Sequence, residues 1–263
     1  MQIGVEDFSL QHTLESGQFF RYSKIGSWYF CQERDKKFKI RQEGKKLHFE
    51  GTSEEHIRKL FGLEQDYDNI IETLSKDKTL IPAIKKYKGL RVMQRDPWET
   101  LVSFQCSIFS NIKKIQLNMN RLAEEFGEKK GEHYTFPRPG KLDNLQKIKK
   151  CATGFRAKYI HKANSLVNDE FLAKLKKKNY EDAKLELMKL PGIGEKVADC
   201  ICLFSLGKIE AFPVDVWIER MMTKMYFDGK KTRTKEIRQF ASERWGQLAG
   251  YAQQFLYHWG RNQ

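Results

Sequence analysis

In the stretch LPGIGEKVADC, Leu190 to Cys200, one lysine stands among residues that otherwise suit the inside of a helix. Lys196 follows a proline and two glycines and precedes Val197, Ala198 and Cys200, small apolar residues that helices turn inward. An amine in a first helical turn meets the positive end of the helix dipole, and apolar neighbours raise the cost of its charge. Both effects favour the neutral, nucleophilic amine. The plainer reading is a surface lysine whose stem lies on apolar surface with its head in water. Further on, FPVDVWIER makes Asp215 the one carboxylate between Ala211 and Ile218. It can cap the helix that begins there, or stabilise a developing positive charge and position a proton transfer.

These groups need elements to hold them. A helix predicted over 179–190 cannot continue through Pro191, and Gly192 and Gly194 permit a hairpin with positive φ. The helix that restarts near Glu195 leaves its first N–H groups without partners beside the hairpin amides. With Gly192, Gly194 and Val197 as candidate donors, that concavity suits a phosphate. An ordinary helix–turn–helix connector has the same outline. The charge balance adds weight to the phosphate: 48 Lys and Arg against 34 Asp and Glu give a net +14, which points to nucleic acid more than to a membrane face.

At 263 residues, 40% hydrophobic and 13% aromatic, the chain can build a substantial core, in one large domain or two modest ones. No apolar run is long enough to span a bilayer, and MQIGVEDFSL lacks the basic and apolar regions of a secretion signal. The five cysteines, 31, 106, 151, 200 and 202, fit free thiols in an intracellular setting, the cytoplasm in a prokaryote. A cubane iron–sulfur cluster needs four thiolates, and nothing after Cys202 supplies one. The lone pair at Cys200 and Cys202 cannot complete a zinc tetrahedron, so neither a metal nor another cofactor is expected.

Alternating β-formers over 28–32, 37–42 and 46–51, with turns at 25–27 and 43–45, predict an antiparallel sheet. From Thr52, at capping-box spacing from Glu55, the period becomes helical. Asp96-Pro97 opens an apolar central helix, WETLVSFQCSIF, and an amphipathic one follows over 111–127. A charged loop with glycine and proline covers 128–140, and short helices recur to the end of the chain. The expected architecture is α+β: an N-terminal sheet domain with short helices over 1–90, then a mainly helical body over 91–263. That body carries a helix–hairpin–helix motif over about 179–206 and ends in a helix.

Together, SGQFFRY, RDPWETLVSFQCS, GFRAKYI, LPGIGEKVADCICL, PVDV and WGQLAGYAQQFLY, in this order and over nearly the whole chain, resemble the 8-oxoguanine DNA glycosylases of the eukaryotic type. These belong to the helix–hairpin–helix glycosylase superfamily. The resemblance implies a bifunctional repair enzyme acting on double-stranded DNA that contains 8-oxoguanine, working as a monomer. The damaged nucleotide is flipped from the duplex. Lys196, the matching amine, attacks the sugar C1′, expels the base and leaves a Schiff base, and β-elimination then nicks the strand. Asp215 stabilises the oxocarbenium-like charge. The Gly17 carbonyl accepts a hydrogen bond from N7–H, a proton that guanine lacks. Cys200 and Tyr257 pack on the two faces of the flipped base, with tyrosine where phenylalanine is usual, and Gln253 reads its Watson–Crick edge.

The other strand carries the departures. Phe155 and Arg156 match the family's wedge aromatic and an arginine facing the orphaned cytosine. Phe109 and Ser110 replace two asparagines, Asn111 keeps a third, and Lys114 stands where arginine is usual. Lysine lacks the planar fork for bidentate recognition. With Phe109 stacking in the vacated space, a relaxed preference for cytosine opposite the lesion is expected. Trp217 stands where a phosphate-contacting histidine is common, which puts that contact in question. Two other readings keep the DNA partner. A monofunctional glycosylase for alkylated bases has no need of Lys196, and a non-enzymatic helix–hairpin–helix module has no need of Asp215 or of Gln253 with Tyr257.

Overall fold

A computed structural model describes residues 1–263. Five strands form an antiparallel sheet: β1 (Gln2–Gly4), β2 (Tyr22–Ile25), β3 (Trp28–Glu33), β4 (Lys36–Glu43) and β5 (Lys46–Glu50), in the order β1-β5-β4-β3-β2. The three strands expected from alternation are β3 to β5. Their inward residues Tyr29, Cys31, Phe38, Ile40, Leu47 and Phe49 pack on Leu10, Leu14, Ile57, Leu60 and Phe61. The two edge strands were not expected. One is only three residues long and the other, YSKI, is largely exposed, so neither carries a period-two signal.

The first helix after the sheet is capped by Ser53, whose hydroxyl accepts from the His56 amide, and not by Thr52 as the capping-box spacing suggested. Within the expected loop over 128–140, Lys129–Lys130 pairs with His133–Tyr134 as a small ribbon around Gly131, whose φ is +61°. A helix over Asp169–Lys177, capped by Asn168, was also missed, since its lysines hide a sparse apolar stripe of Leu172 and Leu175.

The larger core lies in the helical body. Helices over Tyr67–Leu74 and Ile81–Lys86 pack into this core and not under the sheet. At its centre is Pro97–Cys106, buried from Trp98 to Cys106 and capped by Asp96 through the Glu99 amide at 2.9 Å. It stacks Phe104 on Phe204 of the Glu195–Ser205 helix, ring centroids 5.5 Å apart.

Sheet and body meet through buried polar groups. Gln18 donates to the carbonyls of Thr13 and Arg91 and to the Ser16 hydroxyl, while its own carbonyl accepts from the Met93 amide at 2.8 Å. Arg95, fully buried, donates to the Gln18 carbonyl at 3.0 Å, and its backbone amide bonds the Phe204 carbonyl at 2.7 Å. The loop at Gly17 is therefore fixed to the same frame as the Glu195–Ser205 helix. No helix is long and apolar enough to cross a membrane.

Candidate active site

Lys196 lies in the first turn of Glu195–Ser205, half-buried, with its amine 5.3 Å from the centre of the Phe104 ring. Nζ donates to the Ser107 hydroxyl at 3.3 Å, and that hydroxyl donates to the Phe104 carbonyl at 2.7 Å. The nucleophile candidate is thus steered by the residue that follows the central helix. One turn on, Cys200 is 3% exposed. Burial pushes its thiol up to about 12, only partly offset by the Lys196 amine beside it, so the thiol stays neutral and offers an apolar surface.

Gly17 and Tyr257 meet although most of the chain separates them. Gly17 has φ +77°, and a Cβ built there would lie 2.9 Å from the Tyr257 hydroxyl and 3.0 Å from its ring carbon Cε1. Glycine is required here both by the backbone and by the approach. Burial pushes the Tyr257 phenol up to about 12, with the Asp215 carboxylate and the Cys200 thiol adding to it and the Arg261 guanidinium opposing. The Gly17 loop, Tyr257, Cys200, Lys196 and Asp215 therefore lie close together. Gln253, also 3% exposed, donates to the Pro213 carbonyl at 3.1 Å and accepts from the Gln254 amide at 2.8 Å. It ties the C-terminal helix, Ala249–Arg261, to the loop that carries Asp215.

Asp215 caps Val216–Tyr226: one carboxylate oxygen, Oδ1, accepts from the amides of Trp217 at 3.0 Å and Ile218 at 2.9 Å. Those bonds fix the carboxylate and leave Oδ2 free for a second task. Trp217 itself is half-buried, with Arg220 over its ring at 5.4 Å.

In the hairpin only Gly192 uses the left-handed region, at φ +75°, and there the Tyr159 ring packs so close that a Cβ would come within 2.5 Å. Gly194 departs from the expectation of positive φ. As the N-cap it is extended, at φ −92° and ψ −178°, exposed, with nothing near its missing side chain. No side chain caps this helix, so its first amides remain available beside an open glycine, while the Val197 side chain points into the core. Gln105 holds the hairpin from below by donating to the Pro191 carbonyl at 2.9 Å.

The expected opposite-strand residues gather at one tip. Asn111 caps the Ile112–Phe126 helix through the Lys114 amide at 3.0 Å. Phe109 is 93% exposed with φ +47°, and Phe155 is 51% exposed. Arg156, expected to face the orphaned base, is held at this tip by backbone carbonyls. It is 7% exposed and donates to the carbonyls of Ile108 at 2.6 Å, Phe109 at 2.7 Å and Thr153 at 3.3 Å.

Three positioning groups escaped sequence reading: Ser107, Gln18 and Asp199. Asp199, fully buried on the Glu195–Ser205 helix, accepts from Tyr180 at 2.7 Å, Lys184 at 3.0 Å and Arg238 at 3.0 Å. Its signal was a buried-phase aspartate in the VAD segment; the partners, on two other helices, left none.

Residues 1–101 match the family model of the 8-oxoguanine DNA glycosylase N-terminal domain. Over 99% of this chain and 96% of its own, the probable N-glycosylase/DNA lyase of Methanothermobacter thermautotrophicus is 30% identical. A solved structure of MBOgg1 with a low-affinity DNA ligand is 37% identical at a TM-score of 0.93, covering 99% of this chain and 95% of that one. The Clostridium acetobutylicum 8-oxoguanine glycosylase/lyase, solved with double-stranded DNA containing cytosine opposite 8-oxoguanine, is 32% identical at a TM-score of 0.91, covering 100% and 98%.

Proposed function

Since the chain belongs to the 8-oxoguanine DNA glycosylase family, we propose that it is a bifunctional DNA repair enzyme that removes 8-oxoguanine from duplex DNA and then nicks the strand. What supports this reading is the close grouping of Lys196, Asp215, Cys200, Tyr257 and Gly17.

The Lys196 amine attacks C1′ of the extruded nucleotide. The C1′–N9 bond breaks, and its electron pair leaves with the base, which takes up a proton. Positive charge developing at the sugar is stabilised by Asp215, whose carboxylate the helix cap already holds in place. Opening of the sugar ring gives a Schiff base between Nζ and C1′. Loss of a C2′ proton and departure of the 3′ phosphate then cut the strand. Cys200 and Tyr257 sandwich the base, the Gly17 carbonyl tests for N7–H, and Gln253 meets the far edge. The uncapped hairpin amides grip the phosphate backbone. Losing a single hydrogen bond to repulsion costs a few kcal/mol, enough to carry much of the selection against guanine.

Acting on DNA, the enzyme works inside the cell and as a single copy, with an N-terminal unit over about 1–90 that contributes Gly17 to a pocket otherwise built by 91–263. The test is single-turnover base release from duplexes containing 8-oxoguanine or guanine at one position. Release of 8-oxoguanine at least about 100-fold faster is expected; equal rates, or release only of alkylated bases, would overturn the reading.

A further inference from the structure

Glu195 is the one acidic residue in the first turn of the Glu195–Ser205 helix, and it stands in an awkward place. It follows Gly194 at a helix start that no side chain caps, and its carboxylate is half exposed. A carboxylate there is drawn to the free amides of its own turn, by the same dipole that favours a phosphate. Bent back on those amides, Glu195 would occupy the place the hairpin offers to DNA. In the structure the side chain is turned aside: Oε2 accepts from Arg238 Nη1 at 2.7 Å.

Arg238 comes from a different element, the Thr234–Trp245 helix, and its side chain is 14% exposed. Its Nε donates to Oδ2 of Asp199 at 3.0 Å. Glu195 and Asp199 are one helical turn apart, so a single planar guanidinium grips both carboxylates along one edge of the helix. Asp199 is held from the other side as well. Its Oδ1 accepts from the Tyr180 hydroxyl at 2.7 Å and lies 3.0 Å from Lys184 Nζ, both on the first hairpin arm, Tyr180–Met188. This anchor gives the outer pair its strength. Two side chains both free in water gain little by pairing, because each must be ordered. With the guanidinium already fixed, only Glu195 has to be ordered.

We propose that Arg238 is a positioning residue for the hairpin: it holds Glu195 off the first-turn amides and so keeps them open to a DNA phosphate. This rests on the function proposed above, in which those amides grip the backbone. Arg238 acts through Glu195 and does not touch the damaged nucleotide.

Affinity for a duplex carrying an uncleavable abasic-site analogue tests this, with the thermal midpoint measured in parallel. Glu195→Asp keeps the charge and leaves the Arg238–Asp199 pair intact. Its shorter stem falls short of the guanidinium and reaches the amides instead, as a capping aspartate does. It should bind about tenfold more weakly at an undiminished midpoint. Glu195→Gln has no charge to compete with and should bind within about threefold of wild type. Arg238→Gln should lower the midpoint, through the partner lost to Asp199, and weaken binding about tenfold. Adding Glu195→Gln to it should restore binding without restoring the midpoint, a rescue that a purely structural role does not allow. Wild-type affinity in Glu195→Asp, or no rescue in the double variant, would overturn the proposal. If the wild type excises no 8-oxoguanine or fails to bind the duplex, the proposed activity falls separately. Titration of the backbone amides with inorganic phosphate, followed by NMR, then decides the role of Arg238. Shifts at residues 194–197 in the wild type and Glu195→Gln that weaken in Glu195→Asp support it. Equal shifts in all three proteins, or none in the wild type, contradict it.

Discussion

Under the proposed function Asp215 serves as a helix cap and as the charge that stabilises the sugar, and the two roles can be separated. Its Oδ1 caps a helix, a role that asparagine fills about equally well, whereas the negative charge is needed only for the chemistry. Asp215→Asn should therefore keep the melting temperature close to wild type and slow base release by about 100-fold or more. Asp215→Ala should in addition lose about 1 kcal/mol with the cap. Equal loss of stability in both variants, or full activity in Asp215→Asn, would show that the residue is a cap alone. Residues of this kind are readable from sequence because their chemistry lies in their type and local pattern: an amine in a first helical turn, a carboxylate before an apolar helix. Ser107 is not, since its role arises only when two helices distant in sequence meet. Nor could the carbonyl bonds of Arg156 be read, since they join segments 47 and 48 residues apart.

Between elements, the helix before Gly17 and the helix that carries Tyr257 are joined by a cluster of rings. His12, on the short helix Leu10–Glu15 just before Gly17, lies 5.6 Å from His258, the neighbour of Tyr257, and Tyr87 packs against both at 5.2 Å and 4.3 Å. Burial, aided by the neighbouring His12 and by the Arg261 and Lys86 cations and opposed by Glu15, lowers His258 from 6.5 to about 4. Burial lowers His12 as well, against Glu15. Between about pH 6.5 and 4 the unfolded chain binds protons that the folded joint refuses, so stability is full above this window and falls as the pH drops through it. Denaturant midpoints measured across the window should decline with acid, and His258→Gln should flatten the decline. An unchanged slope in that variant would place the acid sensitivity elsewhere. Elements marked by an apolar run or by clear end signals were legible, among them the central helix and both arms of the hairpin. The joint was not, because nothing in HTLES or LYHWG says that the two histidines face each other.

At the scale of the whole molecule, a net charge of +14 announced an anionic partner, and alternation followed by helical periodicity announced a sheet leading into a helical body. What could not be read was the packing. The helices over Tyr67–Leu74 and Ile81–Lys86 precede residue 90 in the chain yet join the larger core, while Met93 packs under the sheet. Hydrophobic periodicity states which face is buried and not what buries it. The interlock fixes one spacing: Gln18 and Arg95 tie the sheet-side loop bearing Gly17 to the helix bearing Lys196, and Gly17 packs against Tyr257. The account as a whole depends on Lys196 being the attacking amine. The most direct measurement is borohydride trapping on an 8-oxoguanine duplex, followed by peptide mapping of the adduct. A covalent protein–DNA adduct at Lys196, absent in Lys196→Gln while that variant still binds the duplex, is the predicted result. An adduct at another amine, or base release at the wild-type rate in Lys196→Gln, would contradict it.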